Sequence, residues 1–334
     1  MIEIDGSQGE GGGQIIRTAV ALSAVTESPI RITKIRSGRP NSGLSPQHVK
    51  AIEALAQVTN ARTKGVKQKS SEIVFQPGQI RGGTYDIKIG TAGSITLLMQ
   101  CLLPALIYAD APTLLKVRGG TDVKWSPTID YFHQVALPAF SSFGVHSSLS
   151  CINRGYYPRG GGAAILEVVP GKLKPAKIKL QPKKDPDIIN GISHCSNLPE
   201  HVAKRQAEAA ARILEATGRE ASIEIDVLKE TSTGSGITLW SGYKGASALG
   251  EPRLKAEKVG TNAAKNLLME LNSEAAVDVQ LADQLIPYLA LSGGSYTTRK
   301  ISKHTITNIW TAAQFLDSEI SVNEDEFITI SADI

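Results

Sequence analysis

The sequence predicts an α/β protein of the α+β type. Three repeated βαβαββ-like units form a large domain, and a smaller α/β domain is inserted in the third. Two observations carry this expectation. A helix, strand and helix recur in order, and the later helix is opened by Ser45-Pro46 in one copy and by Ser126-Pro127 in the next. Serine as N-cap with proline at the first helical position is a helix-start signal. Beyond the second copy, residues 182–272 show strands and helices of their own, bordered by the polar Gln181-Pro-Lys-Lys-Asp-Pro and Asn272-Ser-Glu. The expected division is therefore 1–181 plus 273–334 for the large domain and 182–272 for the insert.

The elements follow in order. A short strand holding Ile2 and Ile4 runs into a glycine-rich loop, and an apolar helix begins at about Gln14 and runs to 25. Segment 30–35 alternates as a strand, Ser45-Pro46 opens a helix, and strands at 72–75 and 85–89 follow. In the second copy, 94–108 is helical, 113–117 is a strand, and Ser126-Pro127 starts the next helix. The strand-like segment 163–169 should lead quickly to a third-copy helix, but the insert intervenes. Within it, 188–194, 222–227 and 237–240 read as strands, 199–216 as an amphipathic helix and 254–271 as a second helix. The third copy resumes with a helix at 279–290, a strand at 296–300, a helix at 304–315 and a final strand at 327–330. Three such units would pack about a pseudo-threefold axis.

Composition bounds the function. The chain has 334 residues, 41% hydrophobic and 20% charged, as for an ordinary soluble protein. A net charge of +4 permits an anionic partner without demanding one. The excess crowds one stretch, with Lys172, Lys174, Lys177, Lys179, Lys183 and Lys184. Such a stretch reads as a solvated face or a protected sheet edge, with nucleic-acid contact the alternative. Three cysteines without a CxxC argue for a reducing compartment and against a zinc site. The first residues already read as a strand, not a signal peptide, and the longest apolar run, 97–109, is too short for a bilayer. A cytoplasmic protein without membrane contact is expected, and assembly into a homo-oligomer is compatible with the chain.

Residues 5–17, Asp-Gly-Ser-Gln-Gly-Glu-Gly-Gly-Gly-Gln-Ile-Ile-Arg, hold the densest chemistry. Bare glycine backbone ahead of a helix N-terminus suits a phosphate, and Glu10 suits a hard divalent cation. The loop lacks the Lys-Ser/Thr of a P-loop and the spacing of the dinucleotide fingerprint, and a plain strand-to-helix turn is the competing reading. Among six histidines, His133 and His146 lack polar neighbours, and His194 and His201 lack ligand-spaced partners. His48 follows Arg36, Arg39 and Gln47, and His304 stands at a strand-to-helix turn. His304 occupies in the third copy the region that supplies Arg36 to His48 in the first and Arg118 to Asp122 in the second. Convergence of those turns would surround an imidazole nucleophile with cations suited to phosphate.

These motifs together resemble the RNA 3′-terminal phosphate cyclase family over nearly the whole chain. The resemblance rests on Gly9-Glu10-Gly-Gly-Gly-Gln14 with Arg17, Arg36-Ser-Gly-Arg39 with Gln47-His48, Gly119-Gly-Thr-Asp122, Tyr157-Pro-Arg-Gly-Gly-Gly162, Ala282-Asp283-Gln284, and His304 with Thr307-Asn308. Any one would be weak, and the ordered set is specific. The resemblance implies a large domain of three repeats with a small insert. It also implies an ATP-dependent, ligase-class reaction in three steps. His304 would take AMP from ATP and release pyrophosphate. The adenylate would pass to an RNA 3′-phosphate, and the neighbouring 2′-OH would displace AMP to leave a 2′,3′-cyclic end. Only ribose carries that hydroxyl.

By motif position, Glu10 would hold Mg²⁺ or Mn²⁺ and Arg17 the phosphates. Gln100, Pro127, Tyr131, Asp283 and Gln284 would handle adenosine, and Arg36, Arg39, Gln47 and His48 the RNA terminus. The family carries an aromatic residue three positions before the Asp-Gln pair, stacking on adenine, where this chain has Gln280. Either Tyr131 and Pro127 bear more of that contact or nucleotide choice is looser. The insert is expected to be separable, since every residue assigned to ATP lies outside it.

Three other readings compete. A non-catalytic cyclase-like protein of rRNA processing and ribosome assembly would have no use for His304 together with Arg17, Glu10 and Asp283. An enolpyruvyl transferase would need lysine–arginine clamps for a small anion and no insert. A relative that cleaves rRNA precursors is the third.

Overall fold

A computed structural model describes residues 1–180, 188–317, 319–324 and 326–333. In the first unit the chain runs β1 (Ile2–Asp5), α1 (Gly13–Val25), β2 (Ile30–Thr33), α2 (Pro46–Thr59), β3 (Arg62–Lys64) and β4 (Ile73–Gln76). Strands β1 and β2 are parallel, β4 runs antiparallel to β2, and β3 lies antiparallel at the edge. Helix α1 is buried on nearly every side, from Ile15 to Ala24, which explains its apolar composition. Helix α2 starts where Ser45-Pro46 predicted and ends on Asn60 in the left-handed conformation, φ 48°.

The second unit repeats the order with β5 (Gly83–Lys88), α3 (Ile95–Leu106) and β6 (Thr113–Gly119). Next come α4 (Ile129–Tyr131), a π-helical stretch (Phe132–Ala136) and α5 (Leu137–Ser142), then β7 (His146–Asn153) and β8 (Gly162–Val169). The helix here is capped by Thr128, not Ser126 as expected. Thr128 Oγ1 accepts the Tyr131 N–H, while Ser126 Oγ donates to the Val123 carbonyl. Proline at 127 forces its predecessor out of the helical region, so Ser126 closes a turn.

Strand β9 (Ala176–Ile178) opens the third unit, and an inserted segment follows: β10 (Ile188–Ser196), α6 (His201–Glu215), β11 (Glu220–Leu228), β12 (Gly234–Ser241), β13 (Lys244–Leu249) and α7 (Ala256–Leu271). The unit resumes with α8 (Val279–Ser292), β14 (Gly294–Thr298), α9 (Lys303–Ala312), β15 (Ile320–Glu324) and β16 (Ile328–Ala332). The three sheets β1-β2-β4-β3, β5-β6-β8-β7 and β9-β14-β16-β15 share one strand order. In each, the first pair is parallel and the other two are antiparallel. Segment 163–169 closes the second sheet as β8. Opening the third falls to the three-residue β9, whose surroundings of Lys172, Lys174, Lys177 and Lys179 give little apolar signal. It lies at a sheet edge, as the lysine pattern implied.

One hydrophobic core runs through all three units, and Ile189, Leu214, Ile237, Leu239, Val259 and Leu267 form part of a second core within the insert. The insert's fourth sheet has the order β11-β10-β12-β13. The linker 181–186, with Lys183 and Lys184, and Asp325 lie outside the described residues. Among the described residues no helix is long and apolar enough to cross a membrane.

Polar side chains join the insert to the second unit. Arg154 makes paired hydrogen bonds to Asp130 at 2.9 and 3.1 Å and also reaches Asp226 on β11 at 3.3 Å. Tyr156 OH and His194 Nδ1 on β10 are 2.7 Å apart. Thr128, Thr238 and Ser247 share hydroxyl hydrogen bonds of 2.8–3.0 Å.

Candidate active site

The glycine loop is fixed at its start by Asp5, which accepts from Ser7 N–H and Lys34 Nζ at 2.9 and 2.8 Å. Those partners, Lys34 foremost, hold the Asp5 carboxyl down at about 2. The loop then presses onto helix α9. Gly9 has φ +59°, and a Cβ there would strike Thr307 Oγ1, so the position needs glycine on two counts. A Cβ on Gly13 would strike His48 Nε2.

His304 is the second residue of α9, behind an N-cap in which Ser302 Oγ accepts the Thr305 N–H at 2.9 Å. Its ring lies between two carboxylates. Nε2 is 2.5 Å from Glu10 Oε2, and Nδ1 is 3.4 Å from Asp283 Oδ2. Three further bonds lock α1, α8 and α9 around it. Gln14 Nε2 donates to the His304 carbonyl, Thr18 Oγ1 to Asn308 Oδ1, and Asn308 Nδ2 to the Asp283 carbonyl. Thus the first and third units, nearly three hundred residues apart in sequence, meet at this histidine.

The hydrogen bond to Asp283 raises the His304 pKa above 6.5, against the opposing effect of burial. Burial in turn raises Asp283. Arg17 is lowered by burial, and its guanidinium has no hydrogen bond or ion pair among the described residues. A partly buried cation with no direct ion pair, beside a nucleophile, is a ready seat for an anion.

A cavity of about 710 Å³ opens beside His304. Six residues marked from the sequence line it: Arg17, Gln100, Pro127, Asp283, Gln284 and His304. Gln100 Nε2 donates to Gln284 Oε1, and the Pro127 carbonyl accepts from Thr96 Oγ1 at 2.8 Å. Gln280 also lines the cavity. Asp283, expected against adenosine, faces the histidine ring.

Tyr131 requires correction as an adenosine contact. It is 1% exposed, does not line the cavity, and its hydroxyl donates to both oxygens of Asp278 at 2.9 Å. Asp278 caps α8 by accepting from Gln280 and Leu281 N–H, and it also accepts from Gly245 N–H; burial pushes it up to about 7. Sequence reasoning missed Asp278, although an Asp just before an apolar helix is itself a capping signal.

The four first-unit residues expected at the RNA terminus do not line that cavity. Arg39 Nη2 is 3.8 Å from Glu10 Oε2, and Arg36 Nη1 donates to the Gly43 carbonyl at 3.0 Å. Gln47 Oε1 accepts the Ser94 N–H at 3.3 Å. His48 is buried in the cap of α2, where its Nδ1 accepts the Ser45 N–H. Burial, with Arg17 and Arg36 nearby, drives its pKa down to about 3, so it stays neutral. A buried capping imidazole is poorly placed to hold a phosphate.

The insert also reaches the cavity. Ser247, Leu249 and Glu251 line it beside Val123 to Thr128, and Lys124 Nζ pairs with Glu251 Oε1 at 2.9 Å. The insert therefore walls part of the cavity, although the residues assigned to ATP by motif position all lie outside 182–272. The β12–β13 hairpin packs against the start of α4, a long-range pairing that sequence spacing could not reveal.

A family model described as RNA 3′-terminal phosphate cyclase matches residues 8–322. The chain is 53% identical to a Methanosarcina barkeri protein named RNA 3′-terminal phosphate cyclase, with 98% of each covered. It is 51% identical to the Methanosarcina mazei protein of that name, again over 98% of each. The Archaeoglobus fulgidus protein of that name is 49% identical over 98% of this chain and 99% of its own.

Proposed function

Because the chain belongs to the RNA 3′-terminal phosphate cyclase family, we propose that it uses ATP to turn an RNA 3′-phosphate into a 2′,3′-cyclic phosphate, with His304 carrying AMP between them. The observation that carries this reading is the imidazole gripped by Glu10 and Asp283 at a cavity holding the unpaired Arg17. Asp283 holds the Nδ1 proton, and Nε2 becomes nucleophilic once the proton it shares with Glu10 is lost to solvent, freeing its lone pair for phosphorus.

The steps balance. His304 Nε2 bonds to the α-phosphorus as the bond to the bridging oxygen breaks, and pyrophosphate leaves. An oxygen of the RNA 3′-phosphate then attacks that phosphorus, and the N–P electron pair returns to His304. Last, the 2′-OH attacks the RNA phosphorus, AMP leaves, and the hydroxyl proton passes to solvent. Activation is needed because AMP leaves far more readily than a bare phosphate oxygen. Arg17 supplies positive charge at the phosphates throughout.

The donor set suits a hard cation. Glu10 Oε1 has no partner among the described residues, and Mg²⁺ or Mn²⁺ is commonly held by one carboxylate together with substrate phosphates. When bound, such an ion would offset charge on the phosphates.

An oligoribonucleotide with a 3′-phosphate should become phosphatase-resistant in the presence of ATP, with one AMP released per end. A 3′-phosphate on DNA should not cyclise. Failure on RNA while ATP is bound would sink the reading.

Two further results are expected. The attacking ring must be unprotonated, so the rate of adenylate formation should climb with pH through a midpoint above 6.5, the raised value of His304. Replacing Asp283 with Asn removes the largest cause of that rise and should move the acid limb to lower pH. A limb that stays in place would separate Asp283 from the nucleophile.

Arg39 is 3.8 Å from Glu10 and does not line the cavity. Arg39→Ala should therefore slow AMP transfer to RNA more than it slows loading of the enzyme. A lost charge-assisted bond contributes roughly 1.5–3 kcal/mol, or about ten- to hundredfold. Preloading the protein with AMP and following a single transfer separates the half-reactions, and equal losses would put Arg39 at the nucleotide.

A further inference from the structure

Trp125 is 95% exposed, although tryptophan is on average among the well-buried residues. Its backbone has φ 61°, a conformation that a bulky side chain rarely adopts. The loop around it is nonetheless held. Lys124 pairs with Glu251 of the insert, Ser126 Oγ donates to the Val123 carbonyl, and the Pro127 carbonyl accepts from Thr96. An open indole on a pinned loop is displayed, and it lines the cavity that contains His304 and Arg17.

The other aromatic residues lining that cavity are Phe140 and Tyr288. They are 1% and 2% exposed and lie with ring centroids 4.5 Å apart, so neither offers a free face. Gln280 cannot stack as an aromatic ring does, and Tyr131 is sealed beneath α8 by Asp278. With the triphosphate drawn to Arg17 and His304, the planar base is left to the remaining wall, formed in part by Pro127 and Trp125.

Resting on the nucleotide reading above, we propose that Trp125 is the stacking platform for the purine of ATP and a determinant of base selectivity in this chain. A bicyclic purine overlaps an indole more fully than a pyrimidine does, so the contact favours ATP over UTP or CTP. Stacking of this kind is worth about ten- to hundredfold in affinity.

The test is direct binding of ATP, read without turnover in the His304→Asn background. ATP should quench indole emission, and Trp125→Phe should remove that quench while keeping affinity within about threefold. Trp125→Ala should weaken ATP binding about tenfold or more and narrow the preference for ATP over UTP. Trp125 touches no core, so these variants should fold as the parent does. Affinity unchanged in Trp125→Ala, or a quench that persists in Trp125→Phe, would overturn the assignment. So would a Trp125-dependent quench by a 3′-phosphorylated oligoribonucleotide but not by ATP. ATP binding with the expected quench, in a His304 protein that never becomes adenylylated, would support the stacking and refute the covalent mechanism.

Discussion

His304→Ala and His304→Asn lose both adenylate formation and cyclisation, by at least about a thousandfold, the scale on which removal of a covalent nucleophile acts. Asparagine is the sharper variant. It keeps a planar polar group near Glu10 and Asp283, yet it has no lone-pair nitrogen able to form the phosphoramidate. His48 offers no substitute, because its Nδ1 is committed to the Ser45 cap and its Nε2 faces Gly13. The ring is also half exposed, so its loss should leave the core and the urea midpoint almost unchanged. Quantitative labelling with α-labelled ATP reads the first loss and a cyclic-end assay the second. Label retained by the asparagine variant would move the nucleophile elsewhere.

Arg154→Met acts on stability instead, with an expected cost of about 3–5 kcal/mol. The guanidinium neutralises the buried Asp122 and Asp130 at once and reaches Asp226 of the insert. Methionine fills similar space and leaves those carboxylates uncompensated away from water. Burial already raises the Asp122 pKa in spite of Arg154. Arg154→Lys should fall between the two, since it keeps the charge and loses the fork that meets Asp130 with two bonds. Because Asp122 and Asp130 bracket the loop that lines the cavity, ATP binding should weaken along with stability. Urea unfolding checks the first effect, and a loss under about 1 kcal/mol would show that the network is well solvated.

Much of the repeated unit was legible because its signals are local. Ser45-Pro46, the apolar run of α1 and the alternation of β2 each report on their own segment. Strand β9 was not, since three residues among lysines bury too little to leave a pattern, and its place is set by pairing with β14 across the insert. Strand β3 is exposed at all three positions and has no buried face to announce it. At the site, motif order pointed to His304, Glu10, Arg17 and Asp283, which the fold brings together. It misjudged Tyr131, since a tyrosine near a cavity and one beneath it look alike in sequence. Trp125 and the insert's Glu251 escaped notice because exposure and long-range pairing leave no trace in local composition.

The most direct test of the covalent account is to map the adduct. After incubation with α-labelled ATP and a divalent metal but no RNA, the protein should carry one AMP per chain. The link should be labile to acid, as a phosphoramidate is, and proteolysis should place it on the peptide containing His304. Adding RNA with a 3′-phosphate should discharge it. An acid-stable label, a label on another peptide, or cyclisation proceeding with no protein-bound AMP at any time would contradict the account.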